Sequence, residues 1–467
     1  MTSLATALDR RALAGLRERF AGELIVPGDP TYEERRRVWN RMIDRRPVLI
    51  ARPSSTADAR EALLFARERG LPVAIRGGGH NVSGSALVDG GVVVDQSLRR
   101  SVRVDPNSRR VEVEPGVLLG ELDGATRPHG LAVPIGIYTT TGVAGLALGG
   151  GIGWLMGAHG LTCDHLVGAE AVVADGRIVT VTEETEPELL WGLRGGGGNF
   201  GIFGRFVFQA VPLADPVLAG IVLYPLEEGE RVLRRYRGWA AELGRATTTI
   251  VVLRTVLPVA TMPAELHGRR VVGVAVCHIG PPADDSRIRR ALRSLGTVLF
   301  DTVERKPFAT HQSLFDPSAP AGHGYYWKSH YLTGLSDELI DRTVELHRRP
   351  PTAWSYSLIP QLGGAVADVA DGASAYPHRS PAFLININGV APRPADEAIV
   401  AWTREAFDAL AAYSTGGVYV NFLGDEGPER VAAAYGPAYA RLAALKARWD
   451  PENVFRVNQN VRPAPAA

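Results

Sequence analysis

Residues Arg76-Gly77-Gly78-Gly79-His80-Asn81 follow a short apolar run, Leu71 to Ile75. Consecutive glycines strip the side chains from a strand-to-loop turn. Bare main-chain amides can then approach a ligand, and several N–H groups can converge on an anion. Arg76 supplies fixed positive charge for phosphate oxygens, and His80 places a nucleophilic imidazole at the end of the cradle. A phosphate loop with a reactive side chain beside it suits a tethered, phosphate-bearing cofactor. The same residues also read as an ordinary glycine turn with a surface histidine.

Three further segments carry chemistry-bearing residues. Gly142, Gly145, Gly149, Gly150, Gly151, Gly153 and Trp154 form a second glycine-rich stretch, and Gly198-Asn199-Phe200-Gly201-Ile202 a third. Close backbone approach and helix-start amides in the second would favour an anion; a glycine-rich helix contact is the alternative. Neither stretch has the Gly-x-Gly-x-x-Gly setting of a dinucleotide fold or a Gly-Lys-Ser/Thr phosphate loop, which weakens a nicotinamide enzyme or an ATPase. Near the C-terminus, Tyr419 and Asn421 alternate on what reads as a short strand, so both would project into one cleft. A tyrosine there can act as general base or hold a substrate hydroxyl, or pack in the core with its hydroxyl satisfied. Asn386 and Asn388 share a strand face and, if buried, need partners. With Tyr138, Gln361 and Lys328 they are candidate pocket residues. Tyr325-Tyr326-Trp327 reads as an aromatic core strand.

The elements that must position these residues are mixed. Leu13 to Phe20 and Tyr32 to Arg45 read as helices. Residues 47–79 read strand, helix, strand, glycine loop, with Ser55 starting the helix and Gly70 stopping it. Val92 to Asp95 is a strand, residues 101–105 and 110–114 a hairpin, and Leu118 to His129 a helix. Asp175-Gly176 joins a second hairpin, Ala169 to Ala174 and Ile178 to Val181. Beyond Pro212 the glycine loops stop. Strands (249–257, 271–279, 355–360, 383–388) alternate with charged helices (230–243, 286–295, 337–348, 396–413), as an antiparallel sheet covered on one side would require.

Bulk properties set the limits. The 467 residues suit two or three domains, and 45% apolar content can bury a large core. Lys and Arg total 51 against 50 acids, which leaves no electrostatic footprint for nucleic acid or a membrane surface. Two cysteines, Cys163 and Cys277, make no disulfide framework. His159, His165, His311 and His378 have no metal-ligand spacing and read as structural. Met1 to Phe20 lacks a signal-peptide core, and no apolar stretch is long enough to span a bilayer. A cytoplasmic location is the expectation.

In order and spacing, the four segments from Pro47 to Val461 resemble the FAD-linked oxidases of the vanillyl-alcohol-oxidase superfamily. The likeness is to their berberine-bridge-enzyme-like branch and its bacterial 6-hydroxynicotine-oxidase-like flavoenzymes. The resemblance implies an α+β chain with a discontinuous FAD-binding domain, residues 1–212 (core about 47–212) and 416–467, and a substrate domain at 213–415 with an antiparallel sheet covered by helices. It implies FAD bonded covalently through His80. The doubly linked subgroup has a cysteine near the place of Tyr138; the stretch Gly136-Ile137-Tyr138-Thr139-Thr140-Thr141 has none, so a single link is expected, with Cys163 the minority candidate for a second.

Further cofactor contacts carried over are Arg76, Gly77, Gly78, Gly79, Asn81, Ser83, Gly136, Thr140, Thr141, Gly142, Gly145, Gly149, Gly150, Gly151, Trp154, Gly160, Leu161, Cys163 and Asp164. Asp164-His165 departs from the family's frequent Asp-Asn. Gly198, Gly201, Ile202 and Val207 would lie beside the adenine and pyrophosphate, and Asn458 and Asn460 beside the isoalloxazine. Tyr419 would be the base and Asn421 a substrate contact, and Gln361 precedes a turn facing the flavin. The implied reaction moves hydride from a small alcohol, amine or sugar to the flavin and on to dioxygen. A dehydrogenase with another acceptor, an oxidative cyclase and a flavin-carrying binding protein are the rivals. Substrate identity and oligomeric state stay open.

Overall fold

The computed structural model describes residues 10–393 and 396–465. The reading of Met1 to Phe20 thus falls partly on residues 1–9, outside the described residues.

The chain around the first glycine loop folds as its local signals require. Strand Leu49–Arg52, helix Thr56–Glu68 and strand Val73–Arg76 deliver it to Gly77. The Ser55 hydroxyl caps the helix by accepting the Asp58 amide at 3.1 Å, and Gly70 leaves it at φ +64°. Val92–Asp95 lies parallel between the two strands, and Glu23–Ile25 pairs antiparallel at the edge.

A second sheet is antiparallel, in the order Val102–Asp105, Arg110–Val113, Ile202–Gln209, Leu166–Val172, Ile178–Val181. Gly176 closes its hairpin at φ +89°. The third and largest sheet is also antiparallel. Its path runs Phe300–Asp301, Val217–Pro225, Arg270–His278, Thr247–Thr255, Tyr356–Pro360, Phe383–Ala391, Gly324–Leu332. Helices Gly229–Ala241, Asp285–Ser294, Asp337–Leu346 and Asp396–Leu410 cover one face through Val232, Ile288, Ile340 and Trp402. The other face turns Ile250, Trp327 and Leu358 toward Trp39, Tyr138 and Trp154 of the first half. The architecture is therefore α+β. Past residue 415 the chain packs Val418, Tyr435, Leu442 and Val461 into the core that holds Val111, Leu166 and Phe206.

One helix expectation fails. Tyr32 to Arg45 is helical only over Tyr32–Arg35. The rest is pulled out of helical geometry by long-range bonds. Asn40 donates to the carbonyls of Val82 and Tyr325, each at 3.0 Å, and accepts the Tyr325 amide at 3.0 Å. The Trp39 amide reaches the Gly79 carbonyl at 3.2 Å.

Candidate active site

A cavity of about 260 Å³ lies where the glycine loops of the first half meet the open face of the large sheet. Its walls come from chain regions far apart in sequence, including Gly77 to Asn81, Gly142, Gly198, Trp327, Asn386, Tyr419 and Asn458.

The first two glycine segments cross in main-chain contact. A Cβ on Gly78 would sit 2.6 Å from the Gly142 nitrogen, and one on Gly142 equally close to that of Gly78. Only glycine permits this crossing. A Cβ on Gly145 or Gly198, by contrast, would meet nothing within 4 Å, and both residues line the cavity.

His80 is held by a stack of rings. Trp39 lies on one side with centroids 4.1 Å apart and planes 18° off parallel, and Tyr325 continues the stack at 3.6 Å from Trp39. The Trp39 indole N–H is anchored on the Ala319 carbonyl at 2.9 Å. Burial pushes the His80 imidazole down to about 4, so it is neutral near pH 7. Its Nε2 is buried without a partner. His80 is thus a neutral imidazole stacked on Trp39 with one ring nitrogen uncommitted.

Tyr419 and Asn421 meet in the same cavity, but not on a strand. Residues Val420–Phe422 form a single 3-10 turn with Tyr419 as its cap. The Tyr419 oxygen accepts the Gly151 amide at 2.7 Å and the Asn421 side-chain N–H at 2.9 Å. Asn421 also donates to the Leu146 carbonyl at 3.0 Å. Burial pushes the phenol up to about 12, while the two donated bonds pull the other way. With both oxygen lone pairs engaged, the remaining capacity of this phenol is to give its proton, and the same two N–H groups would steady the phenolate.

Gly149, Gly150 and Gly151 serve this pair. A Cβ on Gly149 would lie 2.1 Å from Asn421 Oδ1, and one on Gly150 would lie 3.1 Å from the Tyr419 ring. None of the three lines the cavity, so they position Tyr419 and Asn421 where sequence reasoning had them cradling cofactor.

On the sheet side, register places Trp327 opposite Asn388 and Ser329 opposite Asn386, with Lys328 opposite Ile387. Asn386 and Trp327 line the cavity; Asn388 and Lys328 do not. Asn388 is buried against Asn386, accepting its side-chain N–H at 3.1 Å. Lys328 points to the helix side, where it pairs with Glu426 at 2.5 Å. Gln361 is likewise turned away, donating to the Ala240 carbonyl at 2.7 Å and accepting the Thr249 hydroxyl at 2.9 Å. Tyr138 lines the cavity with its hydroxyl 2.8 Å from that of Tyr356.

The C-terminal wall is fixed by a buried ion pair, Lys446 Nζ to Asp450 at 2.7 Å, both side chains fully buried. Asp450 accepts the amides of Val454 and Phe455 at 2.7 and 2.8 Å. Lys446 donates to the carbonyls of Asn199 and Phe455 at 2.7 and 2.9 Å. The turn so formed presents Asn458, which lines the cavity, donates to the Gly198 carbonyl at 3.0 Å and leaves Oδ1 unpartnered. Asn460 Oδ1 is also buried and unpartnered, though Asn460 is not in the wall.

Of the other expected contacts, Gly79, Asn81, Gly136, Thr141 and Gly201 line the cavity. Arg76 does not. It donates to the Arg35 carbonyl at 2.8 Å and sits 3.9 Å from Asp95. Ser83 is spent on the Asn81 side chain, and Thr140 faces solvent. Trp154 is core, packed on His311 at 4.2 Å, and Ile202 is buried in the sheet core with Val207 on the same strand. Gly160, Leu161 and Asp164 form a turn outside the cavity, in which Asp164 accepts the Leu161 amide at 2.8 Å and the Arg379 guanidinium at 2.7 and 2.9 Å. Cys163 is buried behind that turn, and burial pushes its thiol well above the usual range. Sequence reasoning missed Trp39, Gln96, Phe422 and Gln459, and took Trp327 for core. Strand alternation would have set Trp327 and Lys328 on opposite faces.

A family model described as FAD binding domain matches residues 47–182, and one described as berberine and berberine like matches residues 418–462. The chain is 30% identical over 471 residues to (R)-6-hydroxynicotine oxidase of Paenarthrobacter nicotinovorans, covering 95% of this chain and 97% of that one. The structure of 6-hydroxy-D-nicotine oxidase from Arthrobacter nicotinovorans superposes with a TM-score of 0.87 at 27% identity, covering 99% of this chain and all of that one. Glucooligosaccharide oxidase from Acremonium strictum, described as carrying 6-S-cysteinyl, 8α-N1-histidyl FAD, superposes with a TM-score of 0.86 at 22% identity over 98% of this chain. The site and fold are those of an FAD-linked oxidoreductase. The chain belongs to the berberine-bridge-enzyme-like branch of the vanillyl-alcohol-oxidase superfamily.

The residues present fit FAD. The glycine crossing brings bare backbone to the cavity wall, and His80 and Asn458, which line the same cavity, keep Nε2 and Oδ1 buried without a partner.

Proposed function

We propose that this protein is an FAD-dependent oxidase of a small-molecule alcohol or amine, with the flavin attached through His80 alone. When bound, the flavin accepts hydride from the substrate carbon and returns the electrons to dioxygen as hydrogen peroxide. His80 supports the tether by being neutral, stacked on Trp39 and free at Nε2. Cys163 supports a single link by lying outside the cavity wall. Tyr419 first gives up its own proton to solvent, and its phenolate, steadied by the N–H groups of Gly151 and Asn421, then takes the proton of the substrate O–H or N–H. Asn421 and the Gly151 amide hold the phenol at that task. Trp327, Phe422 and Leu358 keep water from the reacting carbon.

The observation that carries the reading is the convergence of His80 and Tyr419, far apart in sequence, on one cavity. Acid precipitation tests it. Yellow colour should stay in the pellet of the wild type and leave the pellet in His80→Ala. Peroxide should appear when the yellow protein meets neutral alcohols or free amines in air. A colourless protein that takes up no FAD would sink the proposal. Slow reoxidation of the reduced protein by air would replace the oxidase with a dehydrogenase.

A further inference from the structure

We infer that the substrate is uncharged and largely apolar, an alcohol or free-base amine with a hydrogen-bond donor that is read by Asn386. The inference rests on the flavoenzyme reading and names the substrate class of that site.

No Asp, Glu, Lys or Arg side chain lines the cavity among the described residues. The ionisable groups in the wall are His80, held neutral, and the tyrosines, of which Tyr138 and Tyr419 are both pushed up by burial. Against the sheet side of the cavity, formed by Ile250, Trp327, Leu358 and Pro360, an ionised substrate group would be desolvated with no counter-charge, which low-dielectric surroundings penalise heavily. Charge is present close by but faces elsewhere. Lys328 pairs with Glu426 on the helix side of the sheet. Arg254 lies over the Tyr356 ring at 5.6 Å and is bonded to Ser318.

The sheet wall is largely apolar, built from Ile250, Trp327, Leu358 and Pro360; its polar groups are Asn386 and the Trp327 indole N–H, which is buried without a partner. Asn386 is 2% exposed and its Oδ1 has no partner. Its orientation is fixed by its neighbour, because Asn386 Nδ2 donates to Asn388 Oδ1 at 3.1 Å and a flipped amide would set two oxygens together. A buried acceptor beside an apolar wall asks for one donor from the ligand. An oligosaccharide, with hydroxyls all round, would leave most of them unpaired against this wall.

Isothermal titration of the yellow, as-purified protein decides the matter with three probes: the methyl ester of para-hydroxymethylbenzoate, the free acid, and cellobiose. The ester and acid share a shape and differ in charge. The ester should bind, the acid about a hundredfold more weakly, and cellobiose more weakly than the ester. An acid–ester difference below about tenfold, cellobiose binding at least as tightly as the ester, or no binding of the ester up to its solubility limit would each overturn the inference. All these outcomes are read on protein whose flavin is visible, so they leave the cofactor reading intact. In Asn386→Asp, a carboxylate in the wall should turn the preference toward para-hydroxymethylbenzylamine as its ammonium form. Should that variant fail to fold, the wild-type comparison still decides.

Discussion

Tyr419 differs from the other buried tyrosines near it in what its oxygen holds. Tyr331 and Tyr376 share one hydrogen bond, hydroxyl to hydroxyl, at 2.6 Å, and burial pushes both further up than Tyr419. Tyr419 accepts two N–H groups instead. Tyr419→Phe should therefore lower kcat by about 10²- to 10⁴-fold, the usual span for a positioned proton acceptor. Probe affinity should change little, and a kcat within threefold of wild type would remove Tyr419 from the chemistry. Gly149→Ala tests the positioning from the other side. The added Cβ would meet Asn421 Oδ1 at 2.1 Å, so stopped-flow reduction of the flavin should slow while colour is retained.

At the scale of elements, the glycine loop and the C-terminal turn are held by different physics. The loop depends on absent side chains and on the Trp39 stack. The turn depends on Lys446 and Asp450, charges that are tolerable in the core because each is paired and hydrogen-bonded. Burial pulls the Lys446 ammonium down and Asp450 holds it up. Lys446→Met should cost about 3–5 kcal/mol by leaving the Asp450 carboxylate buried and unpaired. A urea midpoint would show this, and loosening of Asn458 should appear as a shifted flavin spectrum. An unchanged midpoint would mean that the pair is dispensable. Local pattern described these elements unevenly. The Ser55 cap and the Gly70 stop were readable because capping chemistry is local. The Tyr32 to Arg45 helix was not, because Trp39 and Asn40 answer to Gly79, Val82 and Tyr325 across the molecule.

Over the whole molecule, buried neutral imidazoles set the acid limit. Burial pushes His347 and His378 down to about 4 and His311 to about 3. Each folded pKa lies below the unfolded value of about 6.5. The unfolded chain therefore binds more protons, and the contribution is full above about pH 6.5 and lost as pH falls toward 4. These shifts correspond to at most about 3 kcal/mol for an imidazole lowered to about 4 and about 5 kcal/mol for His311. Melting temperature should thus fall steeply from pH 6.5 to 4, and His311→Leu should flatten that limb. A flat melting temperature across the window would contradict the burial of these rings.

The sequence by itself determined the family, the α+β class, the glycine loops, and His80, Tyr419, Asn421 and Asn386 as residues of interest. Glycine runs, helix caps and strand alternation act over a few residues and are written locally. Tertiary structure alone decided which of them share a wall. It turned Lys328, Gln361 and Arg76 away from the cavity and brought Trp39 onto His80. It also gave Gly149 to Gly151 to Tyr419 and Asn421, and left the cavity lining, among the described residues, without a charged side chain. Cavity membership depends on contacts between residues hundreds of positions apart, and no local signal encodes which face of a strand will meet them.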